Sequence, residues 1–332
     1  MTAVEAELRS LRYVQAVVEA FDQAMSADER VFIVGEDIGQ YGGVFGATRG
    51  LQAKHGAHRV VDSPISEAGL IGLGIGAAAT GLRPVVDIMF MDFIGCCMDQ
   101  IVNQAAKMKY MFGGKATLPL VIHTMAGAGG AMAAQHSQSL EAWVCHVPGL
   151  KVVMPSGPYE AKGLLLAALE DDNVVVVINN KLALGVSAPV PEAPYTIPLG
   201  QAHVVREGDD VTVVALGRMV QEAKKAADAL AAEGVSVEIV DPRTLSPLDT
   251  ATIADSVRKT NRAVVVHEAV RFGGFGAEIA AQIQEEGFDH LDAPIRRVGA
   301  PFSPTPFSPV LEKLYVPNAD AIAAEVRQVL GR

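Results

Sequence analysis

The segments VVVVINN at 174–180 and RAVVVHEA at 262–269 are unbroken branched-aliphatic runs with almost no polar alternation. A strand with one wet face alternates apolar and polar residues. An unbroken run must be covered on both faces, which is the condition of a parallel sheet flanked by helices. The pattern recurs in RVFIVGED (30–37), RPVVDIMF (83–90), LPLVIHTM (118–125) and LKVVMP (150–155). Helical patterns separate these runs: an amphipathic stretch around 11–26, a segment from Asp92 to Met111, and AKGLLLAALEDD before the 174–180 strand. The first half of the chain is therefore expected to be α/β.

APVPEAPYTIP (188–198) carries four prolines, so it reads as extended, and as a connection between domains. The βα rhythm then restarts with DVTVVALG (210–217), VSVEIVD (235–241), RAVVVHEA and PIRRVGA (294–300). Its helices are MVQEAKKAADALAAEG, a stretch from Ser246-Pro247 to about Lys259, and 276–287. The expected architecture is two parallel-sheet α/β domains over residues 1–187 and 201–332, with a linker over 188–200.

The formal net charge of −11 is spread along the chain with no basic cluster, which argues against nucleic acid or an anionic membrane as partner. The longest uncharged run that could mimic a membrane span, Ala68–Leu82, is too short to cross a bilayer. Three cysteines give neither a disulfide framework nor a metal spacing, and adjacent Cys96 and Cys97 read as small core residues. The N-terminal MTAVEAELRS is acidic and lacks an apolar core, unlike a signal peptide. A soluble, cytoplasmic protein is expected.

SPISEAGLIGLGIGAAA (63–79) sets one carboxylate, Glu67, at the head of a long run of small and apolar residues. Two readings stand. Glu67 is a first-turn carboxylate favoured by the helix dipole, with Ser63 or Ser66 as N-cap. Alternatively it is a partly desolvated carboxylate held to share a proton with a heterocyclic nitrogen. The G-x-G-x-x-A pattern at Gly74–Ala79 lies inside a helix rather than directly after a strand, which argues against a dinucleotide-binding turn. Those glycines instead suit close packing by another backbone.

TMAGAGGAMAAQHSQSLEAW (124–143) is a glycine-rich loop after a strand, running into His136. Ligands gather at the carboxyl ends of strands in open α/β sheets, and imidazole exchanges protons near neutral pH. No G-x-S-x-G elbow accompanies Ser137, and no H-E-x-x-H spacing occurs. His267-Glu268, ahead of Arg271-Phe272-Gly273-Gly274, reads equally as a site edge or as a turn into a helix.

These segments together resemble the beta subunit of the thiamine-diphosphate-dependent first component of 2-oxo-acid dehydrogenase complexes, a family that includes the acetoin dehydrogenases. The resemblance rests on GEDIGQYGGVFGAT (35–48), SPISEAGLIGLGIGAA (63–78), NQAAKMKYMFGG (103–114) and AAQHSQSLEAW (133–143). It continues through PGLKVVMPSGPYEAKGLLLAALEDDN (148–173), EAPYTIPLG (192–200), VEIVDPRTLSPLD (237–249) and FGGFGAEIA (272–280). It implies a transketolase-like pyrimidine-binding domain followed by a transketolase C-terminal-like domain, the latter a binding module.

By that resemblance, Glu67 bonds N1′ of the cofactor's aminopyrimidine and favours the imino tautomer that deprotonates thiazolium C2. Ile65, Met89 and Phe93 match the lining of the pyrimidine pocket, with Phe93 stacking on the ring. His136 matches an active-site histidine near the substrate carbon, and Tyr41 and Tyr110 match residues close by. A structural K⁺ site is implied at Leu120, Ala168, Leu169, Asp171 and Asn173, although Asp171 reads equally as helix-end solvation. The family holds the diphosphate and Mg²⁺ through a Gly-Asp-Gly motif on an alpha subunit, and none occurs here. The implied assembly is a heterotetramer of two alpha and two beta chains, docked on a lipoyl-bearing dihydrolipoamide acyltransferase core. Acetoin is the favoured substrate, with pyruvate and branched-chain 2-oxo acids as alternatives. A scaffold subunit without catalysis is the reading from another class.

Overall fold

The chain is described by a computed structural model over residues 8–331; MTAVEAE, which carries most of the signal-peptide reading, and Arg332 lie outside the described residues. The first strand, β1 (Leu8–Arg12), leads into α1 (Tyr13–Ala27) and β2 (Val31–Gly35). A loop and short α2 (Leu51–His55) precede β3 (Val60–Asp62), α3 (Glu67–Ala79) and β4 (Arg83–Ile88). A helical segment ending in α4 (Ala106–Met111) leads to β5 (Val121–Ala126) and α5 (Glu141–Cys145). The half closes with β6 (Lys151–Val153), α6 (Pro158–Glu170), β7 (Val175–Asn180) and β8 (Ser187–Pro191).

The second half contains β9 (His203–Arg206), β10 (Val211–Ala215), α7 (Met219–Ala231), β11 (Val237–Asp241) and β12 (Thr244–Ser246). It continues through α8 (Thr250–Thr260), β13 (Ala263–Val270), α9 (Gly276–Gly287), β14 (Arg296–Ala300), α10 (Pro309–Tyr315) and α11 (Ala319–Val329).

The unbroken apolar runs end up where their composition requires. Strands β5, β7, β10 and β11 are buried along their whole length. Burying each Val or Ile side chain contributes roughly 1.5–3 kcal/mol. The first sheet has seven strands in the order β12-β6-β7-β5-β4-β2-β3, parallel except for β12. Helices α1 and α6 cover one face, and α3 with the 91–105 segment covers the other. The second sheet has five strands, β14-β13-β10-β11-β9, with β9 antiparallel. One apolar cluster runs from Leu70 and Ile122 in the first half to Val265 and Ile283 in the second. The two halves share a core.

Three local expectations change. The proline-rich stretch is partly a strand: Ser187–Pro191 pairs antiparallel with β1 in a separate two-stranded sheet. This pairing is compatible with proline because it lies outside the main sheets. Short β9 and β12 have no apolar run to announce them, and β12 crosses to pair with β6 of the first sheet. The segment from Asp92 to Met111 is not one α-helix. It is a 3₁₀ turn over Met91–Cys97, a π turn over Gln100–Ala105, and then α4. Gly95 weakens α-helix there, and π turns gather at functional sites. Cys97 is buried as expected, but Cys96 of the same turn is exposed.

Candidate active site

The carboxyl edge of the first sheet gathers the chemistry. Strand β2 delivers Glu36, β4 delivers Met89 and Phe90, β5 opens into the 127–140 loop, and β7 delivers Lys181. Glu67 starts α3 just beyond β3. Ser66 is the N-cap residue, but its side chain accepts no helix N–H. The hydroxyls of Ser63 and Ser66 both donate to the Pro64 carbonyl, at 2.9 and 3.0 Å. The serine-capping reading therefore fails, because both hydroxyls are turned back on Pro64. Glu67 is half-buried, and its carboxylate has no hydrogen-bond or ion-pair partner among the described residues. Glu36 stands nearby and accepts the Ser66 N–H at 3.2 Å. Burial pushes the Glu36 carboxyl up, and the neighbouring charges of Glu67, Asp37 and Asp87 push the same way.

An aromatic cluster stands at the same edge of the sheet. The Phe90 ring meets His136 edge-on at 4.8 Å, Phe93 at 5.3 Å and Phe45 at 5.3 Å. Phe93 meets His136 at 5.4 Å. Phe93, Met89 and His136 are half-buried. Ile65 is 81% exposed, and Tyr41 and Tyr110 are exposed too. The structure thus brings Phe93 and His136 together, while Ile65, Tyr41 and Tyr110 lie open on the surface. On α3, Gly74 packs down on the sheet: a Cβ there would meet Val86 Cγ2 at 2.5 Å and Leu120 Cδ1 at 3.0 Å. Gly72 and Gly76 face outward, where a Cβ would meet nothing within 4 Å. The outward glycines leave a smooth face for another backbone.

Several residues here escaped sequence reasoning because their partners are distant in the chain. Lys181 lies over the Phe90 ring at 5.2 Å and donates to the His136 carbonyl. Burial pulls its ammonium below the usual value, against the opposing influence of Asp92, Glu268 and Glu312. Asp92 Oδ1 accepts from the backbone N–H of Ser137 (3.3 Å) and Gln138 (3.2 Å), and from Gln138 Nε2 (2.8 Å). Asn179 and Asn180 are engaged inside the chain. Asn179 bonds His123 Nε2 at 2.8 Å and accepts from Tyr13 Oη at 2.6 Å, while Asn180 donates to Glu268 at 2.9 Å. His267 and Glu268 both lie within β13, ahead of the turn into α9, so they are not that turn.

The residues matched to a K⁺ site lie at the opposite, amino edge of the sheet. Arg83 donates to the Leu169 carbonyl at 2.8 Å and to the Asp171 carbonyl at 2.9 Å. Lys151 donates to the Asp171 carboxylate, Lys109 reaches Asn173 Oδ1 at 2.6 Å, and the Leu120 carbonyl accepts from Val175 N–H. Burial works to raise the Asp171 carboxyl, but hydrogen bonds from Lys151 and Asn173 outweigh it and hold it below the usual range. The chain's own cations thus serve oxygens of Leu169, Asp171 and Asn173, and backbone N–H groups serve those of Leu120 and Ala168. Among the described residues no group of three or more His, Cys, Asp or Glu is placed to hold a metal, and no helix is long and apolar enough to cross a membrane.

An unpartnered carboxylate and an aromatic cluster thus share the carboxyl edge of a parallel sheet that is joined to a second α/β domain. Residues 9–186 match the transketolase pyrimidine binding domain, and residues 200–322 match the transketolase C-terminal domain. Over 328 residues the chain is 48% identical to the acetoin:2,6-dichlorophenolindophenol oxidoreductase subunit beta of Bacillus subtilis, covering 95% of this chain and 96% of that one. It is 49% identical to the subunit of that name from Cupriavidus necator, covering 97% and 98%. It is 44% identical to the pyruvate dehydrogenase E1 component subunit beta of Rickettsia felis, covering 95% and 97%. A solved structure described as a split gene transketolase, inactive beta4 tetramer, superposes with a TM-score of 0.79 at 24% identity, over 97% of this chain and 98% of that one. The chain belongs to the family of beta subunits of the thiamine-diphosphate-dependent acetoin and 2-oxo-acid dehydrogenases.

Proposed function

We propose that this chain is the catalytic beta subunit of a dehydrogenase that cleaves acetoin, and that it works only with an alpha subunit. The observation that carries the reading is Glu67: half-buried, without a partner among the described residues, and at the same carboxyl edge of the sheet as Phe93, Met89 and His136. A carboxylate kept free in such surroundings is suited to exchange a proton with a ring nitrogen. Thiamine diphosphate, when bound, supplies the electron sink for carbon–carbon cleavage. Glu67 would hold the proton shared with N1′ of its aminopyrimidine. Phe93 and Met89 would line that ring, and Ile65, exposed in the lone chain, would close over it once a partner surface is present. His136, walled by Phe90 and Phe93, would orient the substrate and assist transfer to a lipoyl group.

The diphosphate and its Mg²⁺ are assigned to the alpha subunit, since Asn179 and Asn180 are occupied and no Gly-Asp-Gly occurs. The smooth outward face of α3 supports a close-packed partner, in an assembly of two alpha and two beta chains on an acyltransferase core. The setting is the cytoplasm. Pyruvate or branched-chain 2-oxo acid is the second reading, favoured by the pyruvate dehydrogenase relative at 44% identity. The test is to co-express the chain with a candidate alpha subunit and compare acetoin, pyruvate and branched 2-oxo acids with an artificial electron acceptor. Turnover of acetoin by the complex, and none by the beta chain alone, is expected. Turnover by the beta chain alone would overturn the shared-site reading.

A further inference from the structure

The loop that ends in His136 is not held by its own domain alone. Its backbone is left-handed at Gly127 (φ +98°), Gly129 (+104°), Ala131 (+51°) and Ala133 (+62°). Two of these are alanines, for which that region is unfavourable, so such a loop persists only where its surroundings over-determine it. Lys181 and Asp92 hold its far end, as described. The near end is held from the second domain. Glu268 of β13 accepts the Ala128 N–H at 2.7 Å. Glu312 of α10 accepts the Gly129 N–H at 2.7 Å with one oxygen and the Ala131 N–H at 2.8 Å with the other.

The packing of α10 makes this arrangement hard to explain otherwise. Val310 is 72% exposed and Leu314 79% exposed, while Glu312 of the same helix is 2% exposed. Hydrophobic burial would turn the helix the other way round. A buried carboxylate is costly unless charged hydrogen bonds compensate it, and the loop's N–H groups do so. Glu268 is buried as well, steadied by Arg218 at 3.2 Å and Asn180 at 2.9 Å.

We propose that Glu312 and Glu268 are positioning residues of the active site, which hold the His136 loop from the second domain through its backbone N–H groups. Neither carboxylate touches substrate. The inference rests on the assignment of His136 to the site, made above. Glu312→Gln keeps one acceptor oxygen and presents an amide N–H to the other loop N–H, so the loop loses half its hold.

The test is a cycle of Glu312→Gln, His136→Asn and the double variant, each in the assembled alpha–beta enzyme. Glu312→Gln is expected to lower kcat about 10- to 100-fold with KM nearly unchanged, the effect of misplacing a group by about an ångström. The double variant should be no slower than His136→Asn alone, because the carboxylate acts through that loop. Equal proportional losses in both backgrounds would show that Glu312 serves only the fold and would overturn the inference. So would wild-type kcat in Glu312→Gln. If His136→Asn alone left turnover intact, the site reading would fail first and take the inference with it. Should Glu312→Gln not assemble, Glu268→Gln enters the same cycle with the same criteria.

Discussion

At the carboxyl edge of the second sheet, charged side chains are met by residues of the first domain. Asp241 accepts from Ser156 Oγ at 2.5 Å, Glu268 takes Ala128 and Asn180, and His267 lies 3.9 Å from Glu141. The same edge of the first sheet is open. It presents Glu67 without a partner, a half-exposed Phe93 and a bare Ile65. Both sheets are mostly parallel α/β layers, and ligands favour this edge in either. The difference teaches that the second edge has been used to close the domain junction and the first has been left for chemistry.

Glu67→Gln is the sharpest way to break this contrast. In the assembled enzyme it should lower kcat by about 10²–10⁴-fold without lowering the melting temperature. Comparable turnover to wild type would make Glu67 an ordinary first-turn carboxylate. Gly127→Ala tests the closed side. Its Cβ would press on Asn180 and come within 2.7 Å of Glu268 Oε1, at a φ of +98°. Denaturant melts should show a loss of about 1–3 kcal/mol.

The Glu141–His267 pair offers a pH test. Both side chains are fully buried, and neither has a hydrogen-bond partner among the described residues. Burial, helped by Glu268, pushes the Glu141 carboxyl up to about 7, while burial and then Arg297 pull His267 down to about 4. Between 4.5 and about 7 the folded chain keeps a Glu141 proton that the unfolded chain releases, so stability falls as pH rises across that window. Between 6.5 and about 4 the unfolded chain gains a His267 proton that the folded one refuses, so stability falls as pH drops. The two slopes oppose each other. Glu141→Gln removes the first, and relative to wild type it should gain on the order of 1–3 kcal/mol between about pH 5 and about pH 8 in chemical melts. A constant difference across that range would show that Glu141 ionises normally. The smallest effect concerns the amino edge, where replacing K⁺ by a bulky organic cation should leave the melting temperature unchanged, since Arg83 and Lys151 already serve those oxygens. A clear drop would support a K⁺ site there.

The long parallel strands and the helices between them were legible because a buried strand needs an uninterrupted apolar run. Strands β9 and β12 were not, since HVVR and TLS are short and take their pairing from distant chain. Glu67 and His136 could be picked out by local pattern, and Phe93 by resemblance. Phe90, Lys181 and Glu312 could not, because each matters through a partner that only the fold brings near. In SPVLEKLY the local pattern even misleads, since it points Val310 and Leu314 inward and Glu312 out.

Strand β12 carries a further consequence. Thr244–Ser246 belongs to the second half of the sequence but closes the first sheet beside Lys151–Val153. A protease cut or a gene truncation at the 188–200 stretch would therefore not yield two self-sufficient pieces. The leading piece would carry an unsatisfied ladder of amide and carbonyl groups along β6, the kind of border that recruits neighbouring chains. Such a fragment should sediment as aggregate, and supplying the missing half in trans should return it to solution.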